Sequence, residues 1–281
     1  MNQLNTLPNS DWPVMRPGWV WLCGAGPGDP GLLTLHALNA LQQADVVVYD
    51  ALVDSEVLQW APQAEHVFAG KRAGVESAKQ RDISALLVEM AQQGKRVLRL
   101  KGGDPYMFGR GGEEAQTLIQ KNVSLRIIPG ISAGIGGLAY AGIPVTHRDV
   151  NQAVTFVTGH GAKGARPVDW AAISRGSEVI VIYMGMRRAR VIAEALMTAG
   201  RSNDEPVAVV YGASTKQQFV LETTLAKLAD DIAAQTSTAP GLICVGRAVL
   251  LRQVLDWQSL EAGHAPRDVD PLHRGRGAEE E

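Results

Sequence analysis

Cysteine is scarce in this sequence, and its scarcity excludes several kinds of protein. The 281 residues include two cysteines, Cys23 and Cys244, and no CxxC motif. A disulfide framework and the common cysteine-based zinc sites are therefore excluded. Both cysteines lie in apolar runs, where a thiol usually behaves as a small buried side chain. We expect two buried free thiols, no metal site, and a reducing compartment, the cytoplasm.

Long apolar runs and a strong charge of one sign are also lacking. No apolar run is long enough to span a bilayer, and the first residues lack the basic and apolar segments typical of a signal peptide. The formal net charge of −2 provides no field that would attract nucleic acid or an anionic membrane. We expect neither partner, whereas local basic clusters are compatible with small polyanionic ligands.

The sequence is rich in apolar residues and glycine, and these alternate regularly. Apolar residues make up 46% of the chain, which also has 30 glycines, as suits strands and helices joined by tight turns. The first half contains apolar runs at 19–24, 45–49, 65–68, 96–100 and 124–128, with helical segments near 31–43, 80–93 and 111–121. Because short apolar runs alternate with helices, we expect a parallel sheet built from crossover units.

A segment of small residues near 128–139 interrupts this alternation, predicts a tightly packed helix and marks the domain boundary. The second half contains apolar runs at 153–158, 178–184, 206–211, 217–222 and 241–246, with helices near 187–199 and 224–234. Only a few turn residues precede the run 217–222, so we expect an antiparallel pair and a mixed sheet. The predicted divisions are a flexible arm 1–17, an N-terminal α/β domain 18–129, a C-terminal α/β domain 130–258 and a polar, disordered tail 259–281.

A glycine-rich turn at residues 24–31 follows the first apolar run and resembles a dinucleotide-binding fingerprint. In that fingerprint the third position is Gly or Ala, and a phosphate lies at the helix N-terminus. Here Asp29 occupies the position and Pro30 follows, a pair that starts a helix with its own carboxylate cap. Because the carboxylate would repel pyrophosphate, we expect a ligand without one, such as S-adenosylmethionine.

A second glycine-rich element, residues 99–114, begins at the end of the apolar run 96–100. It contains five glycines, an Asp-Pro step and a Met-Phe pair. In open parallel sheets, ligands bind beyond the carboxyl ends of the strands, and paired glycines let a ligand touch the backbone. We therefore interpret this element as a ligand-binding loop rather than an ordinary strand-to-helix turn.

Seven segments in this order resemble the motifs of the tetrapyrrole (corrin and porphyrin) methyltransferases. They are GAGPGD at 24–29, YDALV at 49–53, GKR at 70–72, RLKGGDPYMFGRGGEE at 99–114, PGISA at 129–133, GIPVTHR at 142–148 and YMG at 183–185. The resemblance extends from about residue 19 to about residue 250. It implies the tetrapyrrole methylase fold, with two α/β domains, an active site in the cleft between them, and a homodimer.

The resemblance also implies an activity and a donor site. The activity is methylation of uroporphyrinogen III at C2 and C7 by S-adenosylmethionine, giving precorrin-2 through precorrin-1 for siroheme or cobalamin biosynthesis. The residues implied to contact the donor or its product, S-adenosylhomocysteine, are Pro27, Gly102, Gly103, Asp104, Met107, Ser132, Ala133, Met184 and Gly212. Their types agree with this role, since glycines permit close approach, methionines supply soft apolar contacts and a carboxylate accepts hydrogen bonds.

Two residues are candidates for proton transfer. Asp50 ends an apolar run, where a dinucleotide-binding fold keeps its ribose-binding carboxylate. The resemblance instead implies that Asp50 is the proton acceptor and Lys71 the proton donor. Loss of a ring proton after methyl transfer requires a base. Alternatives remain open, because Asp50 could hold ribose or be structural, and Lys71 could pair with a substrate carboxylate.

The eight carboxylates of uroporphyrinogen predict a pocket that contains basic side chains. The candidates in or beside the matched motifs are Arg72, Arg110, Arg148, Arg187 and Arg188. A methyltransferase that acts later in cobalamin synthesis is an alternative within the family. A nicotinamide-dependent dehydrogenase, which Asp29 disfavours, and a non-catalytic ligand-binding protein on the same fold are alternatives from other classes.

Overall fold

The computed structural model describes residues 11–70, 80–161 and 166–273. The chain divides into two compact units, Met1–Ser132 and Ala133–Glu281. Among these residues, each unit has one five-stranded sheet. Within the described ranges, no helix combines the length and the apolar character needed to cross a membrane.

The first unit is a parallel α/β structure. Its strands are β1 Val20–Gly24, β2 Val46–Tyr49, β3 Glu65–Phe68, β4 Val97–Lys101 and β5 Leu125–Ile128. Its helices are α1 Leu35–Gln43, α2 Ser55–Leu58, α3 Gln80–Gln92 and α4 Gly111–Gln120. The strand order is β3-β2-β4-β1-β5 and every pairing is parallel. The carboxyl ends of all five strands therefore lie at one edge of the sheet.

Strands β1, β2 and β4 are buried on both faces, which explains why they read as nearly continuous apolar runs rather than alternating ones. On one face Trp21, Leu98 and Leu100 belong to a single apolar cluster. On the other face Leu22 and Val97 pack in a second cluster with residues of α3 and α4. Strand β4 lies in the middle of the sheet and is buried along its whole length.

The second unit has a mixed sheet. Its strands are β6 Val154–Thr158, β7 Val179–Tyr183, β8 Pro206–Tyr211, β9 Phe219–Thr224 and β10 Gly241–Val245. Its helices are α5 Ala133–Tyr140, α6 Trp170–Gly176, α7 Ala189–Thr198, α8 Leu228–Ala233, α9 Arg252–Leu255 and α10 Trp257–Glu261. Strand β6 pairs in parallel with β7, whereas β10 is antiparallel to β7 and β8, and β8 is antiparallel to β9. The predicted fold class, with one parallel and one mixed sheet, is confirmed.

The helix expected near 31–43 is two separate elements. A short 3₁₀ turn, Pro30–Leu32, begins at Asp29, whose side chain accepts a hydrogen bond from the Gly31 amide at 2.7 Å. Helix α1 begins only after Thr34, whose hydroxyl accepts from the Ala37 amide at 3.1 Å. Each element has its own N-terminal cap, and this explains the break.

Parts of the expected flexible arm and disordered tail pack against the units. Met15 is buried, and the Pro13 carbonyl accepts hydrogen bonds from Asn39 and Gln43 of α1. Helix α10 extends past residue 258, where the tail was expected to begin. Beyond it, the Arg267 guanidinium lies 2.6 Å from the Glu222 carboxylate. The buried Met15 side chain thus holds part of the N-terminal arm, and the ion pair of Arg267 with Glu222 holds part of the tail. Both segments are polar in sequence.

Candidate active site

Two glycine-rich loops meet at the carboxyl edge of the first sheet. The loop after β1 and the loop after β4 are joined by paired backbone hydrogen bonds, from Gly26 N to Gly103 O at 3.2 Å and from Gly103 N to Gly26 O at 2.6 Å. Both glycines have positive φ, +77° at Gly26 and +70° at Gly103, a conformation that favours glycine. The pairing places Pro27 beside the Gly102–Gly103 step.

The loop after β5 approaches the same place. A Cβ atom on Gly24 would lie 2.5 Å from the Gly103 carbonyl oxygen and 2.6 Å from the Cα atom of Gly130, so only glycine fits there. Ser132 follows closely, since a Cβ on Gly103 would lie 3.8 Å from its Cα atom. Three loops therefore converge, and they bring together Pro27, Gly102, Gly103 and Ser132.

Asp104 ties two of these loops together. Its Oδ1 accepts a hydrogen bond from the Tyr106 amide at 2.8 Å, and its Oδ2 accepts one from the Gly130 amide at 3.0 Å. Met107 lies in the same loop, and its amide donates to the Asp104 carbonyl at 3.2 Å. The contact of Asp104 with a donor molecule stays a prediction, whereas its role in holding the loops is visible.

Asp29 fulfils the expectation that it caps the turn after β1. Its carboxylate accepts from the Gly31 amide, the position at which a dinucleotide-binding fold would present amides to phosphate. A negative charge thus occupies the end of the 3₁₀ turn, and this edge of the sheet disfavours a pyrophosphate.

Asp50 immediately follows β2 at the same edge. Its Oδ1 accepts hydrogen bonds from the Leu52 amide at 3.0 Å and the Gly102 amide at 3.4 Å. Its Oδ2 lies 3.8 Å from Nη2 of Arg99, and the side chain keeps 23% exposure. The carboxylate is therefore held by amides and a cation while part of it remains open to a reactant.

Behind Asp50 lies a buried charged cluster, Arg99, Lys101 and Glu114, which sequence reasoning missed. Glu114 Oε1 lies 3.1 Å from Nζ of Lys101 and 3.4 Å from Nε of Arg99. Burial lowers the pKa of the Lys101 ammonium below its usual value, and repulsion from Arg99 is the second cause. Two cations within the apolar run 97–101 are the signal that could have identified this cluster.

In the second unit, two residues of the predicted donor set follow β7 and β8, whose carboxyl ends lie at one edge of its sheet. Met184 follows β7 and Gly212 follows β8, and each has a φ of +54°. Met184 is not glycine and leaves 51% of its surface exposed. A long side chain held in a left-handed conformation and exposed to solvent is typical of a functional position.

Helix α5 begins at this second edge. The Gly134 amide donates to the Tyr183 hydroxyl at 2.7 Å, and a Cβ on Gly134 would collide with that hydroxyl. A Cβ on Gly137 would lie 2.6 Å from the Cβ of Ala213. Small residues thus let α5 pack tightly, and they bring Ala133 close to the chain around Met184 and Gly212.

Of the five arginines predicted to bind substrate, the structure describes four, each within its own unit. Arg110 is exposed and its Nε donates to Glu113 at 2.8 Å, and Arg188 donates to the Gly159 carbonyl at 3.2 Å. Arg148 and Arg187 are exposed on the second unit. Lys71 and Arg72 lie outside the described residues.

Comparison with known proteins identifies the family. The sequence profile described as Tetrapyrrole (Corrin/Porphyrin) Methylases matches residues 20–229, which is more than half of the chain. The chain belongs to the tetrapyrrole methylases. The family predicted from the seven motifs is therefore confirmed.

Two curated relatives of this tetrapyrrole methylase differ in how much of their length the chain covers. A uroporphyrinogen-III C-methyltransferase of Sinorhizobium sp is 60% identical over 248 residues, which cover 87% of this chain and 89% of the relative. A siroheme synthase of Actinobacillus succinogenes is 49% identical over 243 residues, 86% of this chain but 51% of the relative. The chain thus spans about half the length of the siroheme synthases that it matches.

Solved structures of other tetrapyrrole methylases have the same fold. The uroporphyrin-III C-methyl transferase of Thermus thermophilus, complexed with S-adenyl homocysteine, matches with a TM-score of 0.72 at 38% identity, covering 82% of this chain and 98% of that one. A cobalt precorrin-4 methyltransferase of cobalamin biosynthesis matches with a TM-score of 0.73 at 28% identity, covering 83% of this chain and 96% of that one. The higher identity is to the first of these two.

Proposed function

We propose that this protein methylates uroporphyrinogen III at C2 and C7 with S-adenosylmethionine and forms precorrin-2 by way of precorrin-1. The observation that carries the proposal is the 60% identity to a uroporphyrinogen-III C-methyltransferase across 89% of its length. Precorrin-2 would then enter siroheme or cobalamin biosynthesis. We further propose that the protein acts in the cytoplasm, as its two buried cysteines favour, and as a homodimer, as the family resemblance implies.

The geometry of the first sheet edge supports a donor of this chemistry. Gly103 is partly exposed, and a Cβ atom there would meet nothing closer than 3.8 Å, so a ligand can approach the backbone at this position. The Asp29 carboxylate disfavours a pyrophosphate. The residues proposed to hold the donor are Pro27, Gly102, Gly103, Asp104, Met107, Ser132, Ala133, Met184 and Gly212. These residues lie in or beside loops at the carboxyl edges of the two sheets, where α/β folds bind ligands.

The reaction needs positioning first and a base second. The electron-rich pyrrole carbon attacks the methyl group of the sulfonium, so that a carbon–carbon bond forms, the carbon–sulfur bond breaks and S-adenosylhomocysteine leaves. Holding the two reactants in line supplies most of the acceleration. The methylated ring then loses a proton, and we assign its acceptance to Asp50, which is partly exposed beside Gly102. Lys71 is proposed as the proton donor.

The substrate carboxylates require cations for orientation. We propose that they pair with some of five arginines, which are Arg72, Arg110, Arg148, Arg187 and Arg188. Arg148 and Arg187 are exposed, so their guanidinium groups can reach a carboxylate of the substrate.

The proposal is tested by turnover of the purified protein. Uroporphyrinogen III, kept reduced under anaerobic conditions, is incubated with methyl-labelled S-adenosylmethionine, and the products are identified by mass. We expect sequential addition of two methyl groups. Transfer to a later precorrin only would favour the alternative within the family, and binding of NAD without binding of S-adenosylhomocysteine would contradict the proposal.

A further inference from the structure

The buried charged cluster lies next to Asp50 but outside the residues proposed to touch donor or substrate. Arg99 and Lys101 are two residues apart in β4, so their side chains lie on the same face of the central strand. Arg99 is 2% exposed, Lys101 is 3% exposed and Glu114, from the first turn of α4, is 0% exposed. Three ionisable side chains are therefore removed from water at one end of the sheet.

Stability alone does not explain why the chain buries these charges. Removing charged groups from water is costly, and well-packed apolar side chains of similar volume are often as stable as a buried ion pair or more stable. The surrounding face of the sheet is already apolar, with Leu22 and Leu118 in the same cluster of side chains. Because burying these charges costs free energy, a role in function explains the cluster better than a role in stability.

The cluster is connected to Asp50 by direct contacts. Arg99 donates through Nη1 to the carbonyls of Val48 at 3.3 Å and Leu100 at 3.1 Å, so it spans the ends of β2 and β4. Its Nη2 is 3.8 Å from the Asp50 carboxylate, and its Nε faces Glu114. The positions of Glu114 and Asp50 are therefore linked through one guanidinium group.

The charges of these four residues balance. Arg99 and Lys101 are cations, Glu114 and Asp50 are carboxylates, and Lys101 also interacts electrostatically with Asp50. If Glu114 loses its charge, two cations face the Asp50 carboxylate without their other partner. They are then expected to draw that carboxylate inward, away from the Leu52 and Gly102 amides that now hold it.

We propose that Glu114 is a positioning residue, which holds Arg99 and Lys101 so that Asp50 keeps the orientation required to accept a ring proton. Glu114 itself touches neither reactant in this account. The inference rests on the proposed function, because it assigns the proton acceptance to Asp50. It extends that function by adding the groups that determine where the Asp50 carboxylate points.

The first test is Glu114→Gln, which keeps the shape of the side chain and removes its charge. We expect kcat to fall by about 10- to 100-fold, the range found for outer-shell partners of metal ligands, while the Kd of S-adenosylhomocysteine changes little. Glu114→Asp, which keeps the charge on a shorter side chain, should recover part of the lost kcat. A wild-type kcat in Glu114→Gln would overturn the proposal.

A second readout follows Asp50 without turnover. Hydrogen exchange of the Leu52 and Gly102 amides, which donate to Asp50, should accelerate about fivefold in Glu114→Gln. The Tyr106 and Gly130 amides, which donate to Asp104 at the same sheet edge, serve as the matched control and should not change. Equal acceleration of all four amides would indicate general loosening and would contradict the proposal.

A double variant separates positioning from stability and remains informative if Glu114→Gln does not fold. Lys101→Met combined with Glu114→Leu replaces the ion pair with apolar side chains, and we expect a Tm close to that of the wild type. We also expect kcat to stay low. Recovery of both Tm and kcat would show a purely structural cluster and would overturn the proposal.

Failure of the proposed function gives a different pattern. If the wild-type protein forms no methylated product from uroporphyrinogen III, the proposed function is wrong. The exchange of the Leu52 and Gly102 amides in Glu114→Gln then still decides whether Glu114 positions Asp50.

Discussion

The carboxyl edges of the two sheets differ in the residues that form them. In the described residues, the buried charged side chains are Arg99, Lys101 and Glu114, and all three belong to the first unit. The second edge instead has Met184 and Gly212 in left-handed conformations, and small residues of α5 packed close to them. The first edge thus has buried charged side chains, and the second has two residues in a left-handed backbone conformation.

This difference indicates separate roles in the proposed reaction, proton transfer for Asp50 and donor binding for Met184. Acid–base chemistry needs a carboxylate with defined neighbours, and Asp50 has them in the first unit. Binding of an apolar or sulfur-containing group needs shape and soft contact, which an exposed methionine supplies. Substitution of Asp50 or of the buried charged cluster at the first edge should therefore change the rate. Substitutions in the glycine loops of that edge, or at the second edge, should change donor affinity or packing.

The largest effect is expected for Asp50→Asn. The substitution keeps the shape of the side chain but removes its basicity, so turnover at saturating donor should fall by about 10²–10⁴-fold. Steady-state kinetics with uroporphyrinogen III measure this. A rate near that of the wild type would assign the chemistry to another group.

A smaller effect is expected for Gly103→Val, which tests the glycine loops of the first edge. Its φ of +70° is unfavourable for valine, and strain of roughly 1–3 kcal/mol should weaken S-adenosylhomocysteine binding by about 10- to 100-fold. Gly94→Val is the matched control, because Gly94 has a φ of +79° and a Cβ atom there would meet no other atom within 4 Å. Calorimetry should show normal affinity in the control, and undiminished affinity in Gly103→Val would remove this loop from the donor site.

At the second edge, Gly134→Ala tests packing rather than chemistry. Its Cβ would collide with the Tyr183 hydroxyl, so we expect the free energy of unfolding to fall by about 1–2 kcal/mol. Gly112→Ala, in α4 of the first unit, meets no atom within 4 Å and should stabilise the protein by up to about 1 kcal/mol. Denaturant unfolding measures both, and a stabilising Gly134→Ala would show that the close approach of α5 is unnecessary.

The smallest effect concerns the two thiols, one in each unit. Burial raises the pKa of the Cys244 thiol to about 12 and also raises the pKa of the Cys23 thiol. At pH 8 the native protein should therefore react very slowly with a thiol reagent, whereas the unfolded protein should show two reactive thiols. Rapid modification of one native cysteine would show that its unit opens locally.

Strands were predictable from this sequence because parallel and central strands form short, continuous apolar runs. All ten described strands overlap predicted runs, although β9, Phe219–Thr224, begins and ends two residues later than the run 217–222. Helices α2, α6, α9 and α10 were missed, since elements of four to seven residues are too short for a helical period to emerge. The Asp29 cap was predicted, and the 3₁₀ turn that it starts was not.

The candidate site was only partly predictable for a related reason. Glycines in tight turns mark where the backbone must approach something, so the loops at Gly26 and Gly103 were recognisable. Arg99 and Glu114 were not, because charged side chains are usually exposed and a sequence does not show which of them the sheet will cover. Their burial follows from the central position of β4 and from α4 packing over it.

One comparison tests the division between the two edges most directly. S-adenosylhomocysteine is titrated by calorimetry and the rate at saturating donor is measured for Asp50→Asn and for Met184→Ala. We predict a lost rate with normal affinity for Asp50→Asn, and about tenfold weaker affinity with a largely retained rate for Met184→Ala. A normal rate with weakened donor binding in Asp50→Asn would show that Asp50 holds the donor and would contradict its role as the proton acceptor.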